Sequence, residues 1–308
     1  MNLTYLNTRI LHAAITILVA LVIVFLMVRL APGDPARLML GDTATEAQVA
    51  ALREQMGLDL PLYQQCLHYF GGVLRGDFGQ SIRAQRPALE YVLERLPATL
   101  QLAGLSFLLS VAIGVPIGVV SAARPNSAFD TLGRVTAFLA QATPGFWLGL
   151  MLITLFAVQL KWLPPSGRGG LANLVMPVLT LSAYLIGFVI RLVRSEMLEV
   201  LTADYVRTAR AKGLAQPVVL YRHALRNAAI PVTTVLGMQL GVLLSGSVIT
   251  ETVFAWPGIG QLAVQAIYNR DYPLVQVIVL LSVVAFVLIN LCVDLLYSLI
   301  DPRIRVGQ

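Results

Sequence analysis

Six stretches of this chain, residues 10–28, 96–123, 135–160, 169–190, 227–250 and 272–293, run for 19 to 28 residues without an Asp, Glu, Lys or Arg. A lipid hydrocarbon core is about 30 Å thick and takes about 20 helical residues to cross, and only a fully hydrogen-bonded helix satisfies the backbone there. Each stretch is long enough, so the expected fold is all-α, a polytopic membrane protein with six transmembrane helices. Composition agrees: 57% of the 308 residues are hydrophobic and 12% are charged. A seventh uncharged run, 252–269, is broken by Trp256-Pro257-Gly258 and Gly260 and punctuated by Gln261 and Gln265. It fits a short interfacial or re-entrant helix.

The first span follows Arg9 but has a longer core than a cleavable signal and no small-x-small site behind it, which predicts a retained helix. Lys and Arg set the orientation. With the N-terminus in the cytoplasm, the cytoplasmic segments hold 12 cations against 5 anions, and the outer segments 10 of each. Both termini are therefore expected in the cytoplasm. The net charge of +6 is a topology signal, and without interleaved aromatics it gives no reason to expect nucleic acid. Cys66 and Cys292 suggest neither a disulfide framework nor a metal site.

The expected organisation is a first helix at 1–30, a helical external subdomain at 31–95, a five-helix core at 96–300 and a tail at 301–308. Pro32-Gly33-Asp34-Pro35 reads as a rigid exit turn. Thr43-Ala-Thr-Glu46 has the capping-box pattern, with Gly57 placed to close the helix that follows. Leu62, Cys66, Tyr69 and Phe70 share one face of a second amphipathic stretch. Small residues recur every four positions at Ser106, Ser110, Gly114, Gly118 and Ala122, and again at Gly237, Gly241 and Ser245, giving seams for helices inside the bundle or for a sister subunit. Gln141, Pro144 and Gly145 lie in the third span, where proline frees a carbonyl; a bend lining a pathway and a plain structural kink both fit.

Residues 191–226 form the longest segment between spans on the cytoplasmic side. Leu198, Leu201, Tyr205 and Ala209 keep helical spacing, which predicts an ordered loop. Asp204 is placed to cap a helix whose last turn carries Arg210 and Lys212. Gly213 supplies the stop, and Pro217 opens a second helix running to about Asn227. The product is a helix-glycine-helix knob. It could lie on anionic headgroups, but Ala209 and Ala211 are small, as expected of a helix fitted to a protein groove.

Tyr205-Val-Arg-Thr-Ala-Arg-Ala-Lys-Gly213-Leu214, with Arg222-His-Ala-Leu-Arg-Asn227 and Pro231 behind it, resembles the coupling loop of ABC importer permeases. The peptide-type branch, with its nickel and glutathione members, is the nearest resemblance. Pro32–Pro35, Gly76-Asp77-Phe78-Gly79 with Ser81, Phe254-Ala-Trp-Pro-Gly-Ile-Gly260 and Arg270-Asp-Tyr-Pro273 carry it across nearly the whole chain. Two departures stand out: Arg207-Thr208-Ala209 replaces Glu-Ala-Ala, and Arg226 replaces a proline. The resemblance implies the type I importer permease fold in the cell inner membrane. It implies coupling to two ATP-binding subunits through Asp204, Tyr205, Arg207, Ala209, Arg210, Lys212, Gly213, Leu214, Arg222, His223, Leu225 and Asn227. It also implies a paralogous second permease in a heterodimer, and an external solute-binding protein. Pro32, Gly33, Asp34, Pro35, Trp256, Pro257, Gly258 and Gly260 are candidates for an external gate or for contact with that protein. Gln141, Pro144 and Gly145 are candidates for the pathway.

No Gly-Lys dipeptide occurs, so the phosphate-binding loop G-x-x-x-x-G-K-[ST] is absent, and ATP and Mg are expected on partner subunits with no cofactor in this chain. His12, His68 and His223 form no H-E-x-x-H helix and no serine lies in a G-x-S-x-G elbow, so no catalytic or metal-ligating residue is expected. An ion-coupled carrier is the reading from another class, but it needs ionisable groups at mid-membrane. Asp294 is the one evident in a span, with Arg191 or Arg194 as its expected neutralising partner. The expected cargo is a di- or oligopeptide, with nickel, a metal chelate or glutathione as the alternative.

Overall fold

The computed structural model describes residues 3–30, 34–41, 44–55 and 57–300, and the regular structure among them is helical. The first span is α1 (Leu3–Leu30). Near its end Arg29 stacks 4.5 Å from the Phe25 ring centroid and donates to Gln65 across 3.2 Å.

Three short helices, α2 (Pro35–Leu40), α3 (Glu46–Gln55) and α4 (Leu62–Leu74), form the subdomain that follows. Asp34 accepts from the Ala36 N–H at 3.1 Å and Pro35 stands in the first turn, so this pair starts a helix where a simple exit turn was expected. Pro32, Gly33 and Thr43 lie outside the described residues. The capping box of α3 falls on Thr45 and Gln48, two residues later than expected: the Gln48 N–H donates to Thr45 Oγ1 and Gln48 Oε1 accepts from the Thr45 N–H. Glu46 is the first residue of α3 and cannot reach back as a third-position partner; it pairs with Arg37 instead. Gly57 takes φ +63° and closes α3, with the Leu58 N–H on the Arg53 carbonyl. On α4 the buried position belongs to Gln65, which donates to the carbonyls of Leu58 and Leu60 while accepting from Arg29. Leu62, expected on one face with Cys66, Tyr69 and Phe70, is exposed, while those three are half-buried.

The bundle is built from α5 (Ala88–Ala123), α6 (Ala128–Ala142), α7 (Gly145–Leu152), α8 (Leu171–Leu201), α11 (Leu225–Val253) and α13 (Tyr272–Ile300). The third span is not one rod. Beyond Leu152 the chain continues as a π-helical stretch, Ile153–Gln159, and the two halves meet at 98° across Thr143-Pro144. Pro144 lacks the N–H that would continue α6, and Gly145 adds no side chain to resist the turn. Among the described residues five helices are long and apolar enough to span a membrane, and the broken pair, counted as one span, makes a sixth.

The second-span stripe packs against α8 of the same chain. Ser106, Ser110, Gly114, Gly118 and Ala122 are all buried, and the Ser110 hydroxyl donates to the Ser182 carbonyl at 3.3 Å. A Cβ at Gly114 would stand 2.7 Å from Val189, and one at Gly118 would stand 2.8 Å from Val193, so these glycines set how closely the backbones approach. In the same way Gly241 admits Phe286 of α13.

The α8 helix, 31 residues long, reaches about 46 Å, more than the hydrocarbon needs. Residues 191–201, expected in the loop, are therefore its last turns. A short helix α9 (Asp204–Ala211) follows, then α10 (Gln216–Val218), which runs through a π-helical stretch, Val219–Ala224, into α11 without a break. The second arm of the knob does not stop near Asn227; it is the beginning of the fifth span. At the opposite end of the bundle lies α12 (Ile259–Tyr268), the short helix expected from the broken seventh run.

Candidate functional site

The knob is ordered by its own packing. Val206 and Ala209 of α9 are buried against Val219, Val200 and Leu201. Ala209 is thus small because α9 lies close on the second arm, and not because it faces a foreign groove. The cap position of α9 is Ala203; Asp204 is the first helical residue and makes no cap hydrogen bond, so its contribution is to the helix dipole. Its 3.5 Å contact with Arg207 is solvent-exposed on both sides and adds little. Gly213 takes φ +74°, with its N–H on the Arg210 carbonyl at 2.9 Å and the Leu214 N–H on the Ala209 carbonyl.

Outward from this core point Tyr205, Arg207, Arg210, Lys212, Leu214, Val218, Tyr221 and Arg222, all exposed. Aromatic and aliphatic side chains mixed with arginines compose the surface that protein partners bury. His223 and Leu225 are half-buried at the root of the second arm, and Asn227 donates to the His223 carbonyl at 2.9 Å. The knob's upper attachment is braced by an ion pair. Arg194 of α8 donates to both carboxylate oxygens of Asp130 on α6 at 2.6 and 2.9 Å, Asp130 is fully buried, and the Asn126 N–H adds a third donor. Arg194, one of the two expected partners of Asp294 beside Arg191, is thereby committed elsewhere; the side chain of Asp294 lies outside those described.

At the opposite end the motif 254–260 folds around a buried carboxylate. Glu251 is fully buried; its Oε1 accepts from the hydroxyls of Thr99 at 2.7 Å and Ser247 at 3.0 Å, and its Oε2 from the Gln261 N–H at 2.9 Å. Trp256 is 1% exposed and its indole N–H donates to the Ala98 carbonyl at 2.9 Å. Trp256, Gly258 and Gly260 are buried and Pro257 is half-buried, so the four form the framework of this end and do not present a contact surface. Close by, Ser81 donates to Asp271 at 2.6 Å, the Arg83 N–H donates to the same carboxylate, and Pro273 packs against Gly79. The fragments around Gly79-Gln-Ser81 and Arg270–Pro273, nearly two hundred residues apart, are one clasp. A cavity of about 520 Å³ opens beside it, lined by Arg83, Tyr91, Gln265 and Asn269 among others.

Of the pathway candidates, Pro144 and Gly145 sit exposed at the 98° break. Gln141 lies against α8, its side-chain nitrogen facing Gly187 and without a hydrogen-bond partner among the described residues. Glu251, Thr99 and Asp130 were not singled out from the sequence. Glu251 is the residue at which the fifth uncharged run ends. The paired glycines seven and nine positions later were the available signal, since such glycines mark a close approach.

An all-helical bundle with a broken third span, a surface knob at one end and a short helix packed across the other is the build of a membrane permease. The chain belongs to the family of binding-protein-dependent transport system inner membrane components: the family's main segment matches residues 114–306 and its N-terminal segment residues 2–103. Among curated relatives, the glutathione transport system permease protein GsiC of Salmonella typhimurium is 45% identical over 303 residues, 98% of this chain and 99% of its own. The probable peptide ABC transporter permease protein y4tP of Sinorhizobium fredii is 46% identical over 292 residues, 92% of this chain and 93% of its own. Among solved structures, the MetNI methionine ABC transporter in an inward-facing conformation shares the fold with a TM-score of 0.57 at 21% identity, over 68% of this chain and 96% of that one. An amino acid ABC transporter gives 0.52 at 18% identity, over 70% and 94%. The chain is thus a multi-pass inner-membrane permease of the ABC importer class, which works with ATPase and solute-binding partners.

Proposed function

We propose that this chain forms one half of the pathway of an ATP-driven peptide importer, opposite a paralogous second permease. It carries no catalytic residue: ATP and Mg act on two partner ATP-binding subunits, which grip the knob through Tyr205, Arg207, Arg210, Lys212, Leu214 and Arg222. The knob faces the cytoplasm, with both termini on that side. One observation carries the reading: the second arm of the knob is continuous with the fifth span, so displacement of α9 and α10 moves α11 as a lever. A flexible linker would absorb that motion. The π-helical stretch at Val219–Ala224 sits where the lever leaves the knob, and such wide turns recur at functional positions.

Ala209 supports coupling indirectly, by seating α9 on the second arm. The 254–260 framework, α12 and the Ser81–Asp271 clasp form the gate at the outer end, where a solute-binding protein delivers cargo. The cargo class is peptide, because relatives with a glutathione and a peptide designation each match nearly the whole chain. Glutathione is itself a tripeptide, so one peptide-passing channel accommodates both. The test is uptake of labelled dipeptide, oligopeptide, glutathione and chelated nickel by cells carrying the complete transporter with and without this chain. Peptide or glutathione uptake that requires the chain supports the assignment; uptake of chelated nickel alone overturns it.

A further inference from the structure

We propose that Glu251 is the positioning residue of the outer gate: its buried carboxylate holds α12 in register with α5 and α11, so that movement driven from the knob reaches the gate. The inference rests on the importer reading above and adds to it the residue that fixes the gate helix.

The first N–H groups of a helix have no partner inside it and must be capped from elsewhere. The cap position of α12 is Gly258, which has no side chain to offer. The caps come from other spans. The Ile259 N–H donates to Thr99 Oγ1 of α5 at 2.8 Å, and the Gln261 N–H donates to Glu251 Oε2 of α11 at 2.9 Å. Thr99, having accepted from Ile259, turns its own proton onto Glu251 Oε1 at 2.7 Å. The Thr99 hydroxyl and the Gln261 N–H thus present donors to opposite oxygens of Glu251, while Ser247 shares its proton between Oε1 and the Leu244 carbonyl, and a group that accepts at both oxygens satisfies them. A carboxylate does so, and at a helix N-terminus it is also favoured by the dipole.

The glycines confirm that the pocket is cut to this group. Gly258 has φ −100° and ψ −175°, an extended conformation open to any residue. Its lack of a side chain is therefore a matter of space: a Cβ would stand 2.5 Å from both carboxylate oxygens of Glu251. At Gly260 a Cβ would meet Glu251 Oε2 at 2.9 Å and the Val248 backbone at 2.6 Å. Gly258 and Gly260 wall in one carboxylate, and α12 begins between them, at Ile259.

The test uses the complete transporter, with Cys66 and Cys292 replaced and spin labels at Tyr268→Cys on α12 and Leu171→Cys at the start of α8, both highly exposed positions. The expected unsubstituted distance distribution is narrow. Glu251→Gln, which sets an amide donor against a donor, broadens it, removes the stimulation of ATP hydrolysis by the solute-binding protein while basal hydrolysis persists, and lowers uptake about tenfold. Thr99→Val reproduces these effects and Thr99→Ser restores the unsubstituted behaviour; this pair decides the matter if the Glu251 variant does not reach the membrane. An unchanged distribution in Glu251→Gln and Thr99→Val overturns the anchoring, and a broadened distribution with full stimulated uptake overturns its role in the gate. Failure of the importer reading itself would appear in the unsubstituted chain, as absence of a co-purifying ATP-binding subunit and of ATP-dependent uptake.

Discussion

The two ends of the molecule use charge in opposite ways. At the knob, Arg207, Arg210, Lys212 and Arg222 stand in solvent over a small apolar core of Val206, Ala209 and Val219. At the opposite end, Glu251 and Asp271 are buried, each held by donors from segments distant in sequence. Exposed charges leave a surface free to engage another molecule and contribute little to the fold. Buried carboxylates are costly to desolvate and persist only where several donors converge, so they fix geometry. On the proposed reading one end is gripped and the other is set.

The largest expected effect breaks the knob. Gly213→Pro forces φ near −65° onto a residue at +74° and abolishes uptake, whereas Gly213→Asn, which tolerates the left-handed region, retains most of it. Membrane insertion, followed by immunoblot, is unaffected in both. If Gly213→Pro transports normally, the joint has no role. Next, Asp130→Asn strands the Arg194 guanidinium and lowers stability by about 3 kcal/mol, read as a fall in the melting temperature of the detergent-extracted complex. A second substitution, Arg194→Met, recovers part of that loss. The buried brace at the knob end would then behave like the gate and unlike the knob surface beside it.

Smaller effects sharpen the contrast from the exposed side. Replacing Arg207, Arg210 and Lys212 together with Gln leaves the melting temperature unchanged but weakens retention of the ATP-binding subunit on an affinity column, and makes what remains less sensitive to salt. Unchanged co-purification would assign these cations to topology alone. Smallest of all, Asp204→Ala lowers stability by less than about 0.5 kcal/mol, the loss of an exposed helix-dipole contribution. A loss of about 1 kcal/mol is what removal of a true cap would give, and it would contradict Ala203 as the cap.

The spans, the knob and its glycine joint were legible in the sequence because each is written locally, in uncharged runs of membrane length and a glycine where a left-handed residue was required; the spacing at 198–209 was not one face, since it falls on two helices and Tyr205 is exposed where Val206 is buried. The stripe at 106–122 was legible too, although only the structure identifies α8 as what it packs against. Two kinds of feature were not legible. The ends of α8 and the second arm were set too short, because charged residues end the uncharged runs while the helices continue beyond them. The polar locks escaped because Thr99 with Glu251, Ser81 with Asp271 and Asp130 with Arg194 join residues 64 to 190 positions apart. Such pairs leave no periodic trace.

The knob's grip by another protein is tested most directly at Tyr205, which is exposed on α9. A photo-reactive benzoylphenylalanine placed there preserves an aromatic ring of similar shape and can be illuminated in membranes that carry the whole transporter. The expected product is a covalent adduct with the ATP-binding subunit, at its combined mass. Adducts with lipid alone would show that the knob lies on headgroups and would contradict the lever.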